Sequence, residues 1–288
     1  MAYDSPGALR VALEARLGSR SRDSGVDLER LRRRATFERL LVRLELAAPG
    51  RWIVKGGMAL EVRLGDRARS TRDLDLALRD AADDGEVVRE LLIDCLSVDA
   101  DGDGFDFRVA SSRPLATDEA GRLGWRFAVE TRLGGKTYAR VRIDVVARAD
   151  EIATTRRVAL PGVLDFAGLP RHDIEIVDPE QHFAEKMHAL TRSYGDRENS
   201  RVRDLPDLVL LIEDGVTATP GLLLIVVHVF DTRASHGMPD ELPDPPSSWR
   251  DAYPETARDM DVTAATLDEA MALVRAFWAT LIHMNQEP

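Results

Sequence analysis

The chain has 288 residues, of which 44% are hydrophobic and 31% charged, and its formal net charge is −11. Such a length and composition fit one large or two smaller folded domains and exclude a disordered or fibrous chain. The acidic balance argues against a general nucleic-acid coat, no apolar run approaches the roughly 18 residues of a membrane span, and the single cysteine, Cys95, rules out an internal disulfide.

Met1–Pro6 lacks a basic stretch followed by an apolar one, so no secretion signal is read and a reduced cytoplasmic location is expected. Ser5-Pro6 reads as the N-cap and first-turn proline of a helix carrying Leu9, Leu13 and Leu17. A loop over Gly18–Gly25 is expected next, then a helix over about Asp27–Leu46 with Leu28, Leu31, Ala35, Leu41 and Leu44 on its apolar side. After a turn at Pro49-Gly50, Trp52-Ile53-Val54 forms a short strand ending at Gly56-Gly57, and Met58, Ala59, Leu60, Val62 and Leu64 place a helix leaving the glycines. Asp73–Leu78 is a strand and Glu86–Leu96 a helix. Phe105–Ala110, Trp125–Leu133 and Thr137–Val146 are three further strands, with Gly134-Gly135 a hairpin turn between the last two.

From Asp178 the pattern turns helical. Asp178-Pro179-Glu180-Gln181 reads as an N-cap, a first-turn proline and a capping-box glutamine ahead of Phe183, Met187, Leu190 and Tyr194. Leu205, Leu208, Val209 and Ile212 form another helix, and Thr219-Pro220 begins the next. Asp231–Pro254, rich in proline, is expected as a long surface segment. Thr266-x-x-Glu269 caps a last helix with Leu267, Met271, Val274, Trp278 and Leu281 inward. The fold class expected is α+β: a mixed sheet with helices on one side over residues 1–170, then a mostly helical half over 171–288.

The chemistry concentrates at Asp73-Leu74-Asp75. Side chains alternate along a strand, so both carboxylates share one face while Leu74, Leu76 and Leu78 point into the core. Paired carboxylates suit a hard divalent cation, and Gly56-Gly57 before them lets backbone amides approach phosphate oxygens. In Arg142-Ile143-Asp144-Val145, Asp144 lies on the polar face. A neighbouring strand would bring it to the same rim as a metal-bridging or base-like carboxylate, but a solvent-facing aspartate balanced by Arg140 or Arg142 reads equally well. Lys186 stands at the margin of a buried stripe, where it either snorkels or binds a triphosphate as a point charge. Asp204 sits where an N-cap belongs. Arg63, Arg67, Arg69 and Arg72 bracket Asp73 and favour a polyanionic acceptor, while Arg30, Arg32, Arg33, Arg34, Arg39 and Arg43 read as a solvated helix face. His182 and His188 do not share a helix face, so no zinc pair is read. No phosphate-binding loop of the Gly-x-x-x-x-Gly-Lys-Ser/Thr kind occurs.

Lys55-Gly56-Gly57-Met58-Ala59-Leu60 with Arg69-Ser70-Thr71-Arg72-Asp73-Leu74-Asp75, then Arg142-Ile143-Asp144-Val145, Glu185-Lys186 and Arg203-Asp204-Leu205-Pro206-Asp207-Leu208, resembles the AbiEii/AbiGii toxin family of nucleotidyltransferases over roughly residues 5 to 285. That resemblance implies a polymerase-β-like nucleotidyltransferase core and a toxin of a toxin–antitoxin or phage-defence (abortive-infection) system. Some members transfer nucleotides to the 3′ end of tRNA and so block translation. It implies that Asp73, Asp75 and Asp144 hold Mg²⁺, that Gly56, Gly57 and Lys186 bind the NTP, and that Asp204 is an active-site carboxylate. Two departures stand out: Gly56-Gly57 where the superfamily often has Gly-Ser, and Pro206 where relatives often carry a bulky residue. NTP, tRNA and a cognate antitoxin are the partners implied, without a membrane. The alternatives are transfer to a protein or small-molecule hydroxyl, and a catalytically silent binding partner. Phosphate added at Ser70 or Thr71 would put about −1.5 to −2 charges beside the carboxylates and is expected to block nucleotide binding.

Overall fold

The protein was analysed as a computed structural model that describes residues 3–286 apart from 81, 100, 116–122, 148, 149, 194, 196 and 197. The described residues form helices α1 (Pro6–Ser24), α2 (Leu28–Ala47), α3 (Gly56–Leu64), α4 (Gly85–Ser97), α5 (Pro179–Thr191), α6 (Asp204–Glu213), α7 (Pro220–Arg233), α8 (Trp249–Asp259) and α9 (Leu267–Gln286). The strands are β1 (Trp52–Lys55), β2 (Asp73–Leu78), β3 (Phe105–Val109), β4 (Arg113–Pro114), β5 (Gly124–Leu133), β6 (Lys136–Ala147), β7 (Thr155–Ala159) and β8 (Asp173–Val177).

One mixed sheet runs in the order β3-β5-β6-β2-β1-β8-β7, with β4 paired to β5. β1 and β2 are antiparallel, while β2 and β6 are parallel, so the β5–β6 hairpin continues the sheet beyond β2. The β7 and β8 strands were not expected from the sequence; β8 joins β1 in parallel, Val54 facing Ile176. Leu74, Leu76, Leu78, Val141, Ile143 and Val145 pack with Phe37, Leu40 and Leu44 of α2 and Val88 and Leu92 of α4 into a buried core. Burying each such side chain contributes about 1.5–3 kcal/mol. A second core joins α5 to α9 and also takes in Leu60 and Ala68, so the helices after the sheet share apolar contacts with the segment leading into β2.

Local chemistry explains most helix ends. Ser5 Oγ accepts from Ala8 N and Thr219 Oγ1 from Leu222 N. The Thr266/Glu269 capping box forms both reciprocal bonds, at 3.0 and 3.3 Å. The loop expected at Gly18 is instead helix: α1 continues until Gly25, whose φ of 73° supplies the left-handed cap that ends it. Asp231–Pro254 is not one surface segment either. α7 reaches Arg233, and α8 starts at Trp249 because Trp249, Tyr253 and Ala257 make a buried stripe strong enough to carry Pro254 inside the helix. Gln181 does not cap α5; its amide spans Ala153 N, Glu151 O and Glu185 instead. Tyr194 lies outside the described residues.

The arginines of α2 are not a solvated face. Arg30 and Arg34 pair with buried Glu61, and Arg39 and Arg43 lie buried against Asp101 and Asp103. Their partners come from segments distant in sequence, which a periodicity along one helix cannot reveal.

Candidate active site

Strand β6 lies beside β2, the arrangement that brings Asp144 to the rim of the Asp73-Leu74-Asp75 strand, and its register sets Asp75 against Asp144 and Asp73 against Arg142. Because the strands are parallel and in register, Asp73, Asp75 and Asp144 emerge on the polar face of the sheet, opposite the apolar core. Burial, and next to it the charge of Asp144, pushes the Asp75 carboxyl up to about 6. The outer two carboxylates are held by arginines: Arg126 donates to both oxygens of Asp144 at 2.7 and 2.6 Å, and Arg142 donates to Asp73 at 2.5 Å.

Gly56 and Gly57 form the first turn of α3, which carries no side-chain cap. Its leading amides therefore have no capping side chain, and an uncapped helix N-terminus favours anions. Gly56 adopts φ 60°, and a Cβ there would stand 2.0 Å from Asp75 Oδ2. A Cβ on Gly57 would meet Thr71 Cβ and Oγ1 at 2.9 Å, so the serine expected from the superfamily has no room at this position. Gly56→Ala combines left-handed strain of about 1–2 kcal/mol with overpacking of about 1–3 kcal/mol. Its expected outcome is a lower melting midpoint and weaker NTP binding by calorimetry; a variant matching the parent in both would remove the close-approach argument.

Across the cleft, the Lys186 ammonium is buried and donates to Asp204 at 2.6 Å and Asp207 at 2.7 Å. Burial alone would lower its pKa, but the two carboxylates outweigh that and hold it above the ordinary lysine value. Asp207 is fully buried and also accepts from Arg69 Nε at 3.0 and 3.1 Å. Burial opposes its ionisation, yet Lys186 and Arg69 keep it below the usual carboxylate range. Asp204 does not cap α6, as its side chain turns to Lys186, and Oδ2 is buried without a hydrogen-bond partner among the described residues. Pro206 fits in the first turn of α6, where a missing N–H costs nothing.

The structure thus gathers Asp73, Asp75 and Asp144 on one sheet face beside Gly56. Lys186 and Asp204 meet on facing helices, with Lys186 close enough to Asp75 to influence its ionisation. Of the arginines expected to meet a polyanion, Arg63 donates to Val177 O, Arg67 pairs with Glu213 and Arg69 with Asp207; Arg72 is exposed. Among the described residues no three acidic, histidine or cysteine groups already converge on a cation position. The donor set still fits a hard divalent cation, because three carboxylate-bearing residues share one face and the central one is destabilised as an anion.

The profile of the AbiEii nucleotidyl transferase toxins of type IV toxin–antitoxin systems matches residues 39–281. The chain belongs to the AbiEii toxin family. This AbiEii toxin is therefore a nucleotidyltransferase with NTP as its substrate. It is similar in structure to MenT4, a nucleotidyltransferase toxin from Mycobacterium tuberculosis H37Rv, with 20% identity, TM-score 0.55, and 93% of this chain and 98% of that one covered. It also matches an antigenic nucleotidyltransferase-like protein from Paracoccidioides brasiliensis at 18% identity and TM-score 0.42, over 80% and 97% of the two chains. No curated protein matches. The likeness to MenT4 bears on the fold, the α+β nucleotidyltransferase architecture expected from the sequence.

Two groups of this AbiEii toxin's cleft, Asp207 and Lys55, were not singled out from the sequence as site residues, while Arg69 was read only as one of the arginines around Asp73. Asp207 and Arg69 complete the setting of Lys186. Lys55, facing Asp75 in the β1–β2 register, donates to Glu151 at 2.5 Å and pairs with Glu185 at 3.3 Å. Asp207 was legible only as the second acid of Asp204-x-x-Asp207, three residues on and so on the same helical side. Lys55 stood at the head of the Lys55-Gly56-Gly57 motif but was given no role, because the partners of an interior strand lysine lie elsewhere in the chain. The Thr71 hydroxyl is buried and donates to Asp73 O, whereas Ser70 is exposed and accepts from Arg33 at 2.9 Å.

No helix of the described residues is long and apolar enough to cross a membrane.

Proposed function

We propose that this toxin transfers the NMP of an NTP, with Mg²⁺, to the 3′-terminal hydroxyl of an RNA, the tRNA 3′ end first among candidates, and thereby stops translation. The observation that carries the reading is the pairing of Asp75 with Asp144 across parallel strands, with Asp73 on the same face and Gly56 against Asp75. Bound Mg²⁺ would neutralise charge on the attacking and leaving oxygens. Asp73, Asp75 and Asp144 would hold it. The amides of Gly56 and Gly57 and the Lys186 ammonium would bind the triphosphate oxygens, Lys186 keeping its proton because Asp204 and Asp207 stabilise the charged form. Asp144 would accept the proton of the acceptor hydroxyl as its oxygen attacks the α-phosphorus, and pyrophosphate would leave. Asp204 would hold Lys186 at the cleft, its other oxygen lying 3.5 Å from Arg201 Nε.

The test supplies labelled NTPs and Mg²⁺ with either total RNA or a protein extract, using wild type and Asp75→Ala. Label at tRNA 3′ ends that depends on Asp75 is expected. Label confined to protein, or equal label from both forms, would sink the reading.

A further inference from the structure

The cleft already carries cations. Arg126 on β5 faces Asp144 in the antiparallel register, and Arg142 on β6 faces Asp73 in the parallel one. Both pairs are charge-assisted, and Arg126 grips with two nitrogens. Yet the arginine side chains are 39% and 48% exposed, so water competes for both pairs and they are readily exchanged. Three carboxylates against two guanidinium groups leave one negative charge; a divalent cation on the carboxylates turns that into one positive charge and leaves both arginines without partners.

Their placement then matters. In the order β5-β6-β2-β1, the arginines lie on one side of Asp75 and Gly56 on the other. The triphosphate is proposed to bind at the glycines, so the arginines stand where the second substrate must enter. Arg113, exposed on β4, faces Arg126 across the β4–β5 pairing, and Arg72 is exposed beside Asp73. A strip of arginines of this kind suits the phosphates of a single-stranded nucleic acid and repels a cationic acceptor.

We propose that Arg126 and Arg142 act as internal counter-cations in the metal-free protein and become contacts for the acceptor's backbone phosphates once the carboxylates turn to a divalent cation. The site then exposes its nucleic-acid surface only when loaded, an ordering built from side chains on two adjacent strands. This inference rests on the transferase reading above.

The test titrates Mn²⁺, followed by electron paramagnetic resonance, into nucleotide-free wild type, Arg126→Gln, Arg142→Gln and Asp75→Asn. Removing a competing guanidinium is expected to tighten Mn²⁺ binding about three- to fivefold in each arginine variant. With Mn²⁺ and an unreactive NTP analogue present, the same variants should bind tRNA more weakly. Each should also lower the slope of log affinity against log salt by about 0.7–1. Arg126→Lys, which keeps the charge, should retain the salt slope and controls for folding. Unchanged or weaker Mn²⁺ binding in both glutamine variants, or an unchanged salt slope, overturns the inference. If wild type itself binds no Mn²⁺, the proposed metal-dependent reading of the carboxylates fails and the inference with it. If wild type binds Mn²⁺, Asp75→Asn does not, and the arginine variants match wild type, only the inference falls.

Discussion

Asp75→Asn is expected to abolish nucleotide transfer while making the metal-free protein more stable. The two effects share one cause. Asp75 is an anion held in a shielded position beside Asp144, and its carboxyl titrates near 6 rather than 3.8. A carboxyl raised in the folded state binds protons more tightly folded than unfolded. Stability is therefore lost as pH rises from about 4 to 6, and the full cost persists above. The shift corresponds to at most about 3 kcal/mol, of which a neutral asparagine should recover a part. Thermal melts of wild type and variant should coincide near pH 4 and diverge through pH 6, the variant melting a few degrees higher at pH 8. Transfer should fall by about three orders of magnitude or more, since a lost metal ligand costs several kcal/mol of transition-state stabilisation. The same titration predicts that wild-type binding of Mg²⁺ with NTP weakens below pH 6, where Asp75 becomes protonated. A variant that stays active, or one whose melting advantage ignores pH, would show that Asp75 is an ordinary surface acid.

What could be read in advance follows the range of the interactions involved. The alternation of Asp73-Leu74-Asp75-Leu76 is set within one strand, and so is that of Arg142-Ile143-Asp144-Val145; each fixes its own polar and apolar face. Only the parallel register adds that Asp75 and Asp144 are neighbours. The Gly56-Gly57 turn was legible because few other residues tolerate so close an approach, and the structure gives the reason at each glycine: Asp75 behind one, Thr71 behind the other. Asp204 misled by its local context. It occupies the start of α6 as a cap would, but a buried ammonium 18 positions earlier in sequence outbids the helix amides. The α2 arginines misled in the same manner, since charge periodicity along a helix cannot distinguish solvent from acidic partners 60 or more residues away. The short strand β7 escaped because Thr155-Arg156-Arg157-Val158-Ala159 has little apolar alternation and is recruited by its neighbour, whereas Asp173-Ile174-Glu175-Ile176-Val177 of β8 does alternate and went unread beside the helix start at Asp178.

Those same arginines give the largest stability effect expected outside the cleft. Asp103 is fully buried at the end of the Asp99–Asp103 segment and accepts from Arg39 Nε at 2.6 Å and Arg43 at 2.5 Å. Arg39 donates in addition to Asp101, and Arg43 to the carbonyls of Leu96 and Phe105. Burial disfavours the Arg39 charge, but Asp103 and Asp101 outweigh it and hold the guanidinium above its ordinary value. Asp103→Asn leaves Arg39 only Asp101 and Arg43 only Asp99 as anionic partners, removes the fully buried carboxylate between them, and should cost up to about 3–5 kcal/mol, as breaking a buried pair generally does. That is a large fraction of the roughly 5–15 kcal/mol that stabilises a typical domain. Urea denaturation should show the midpoint falling with an unchanged slope, because the folded contacts weaken while the surface exposed on unfolding stays the same. The exposed pair Arg250–Asp268 serves as the contrast: it has comparable geometry but sits in water, so Asp268→Asn should leave the midpoint where it was. Equal effects from the two substitutions would mean that the Asp103 cluster is hydrated after all, and that α2 is anchored to the sheet by its leucines alone.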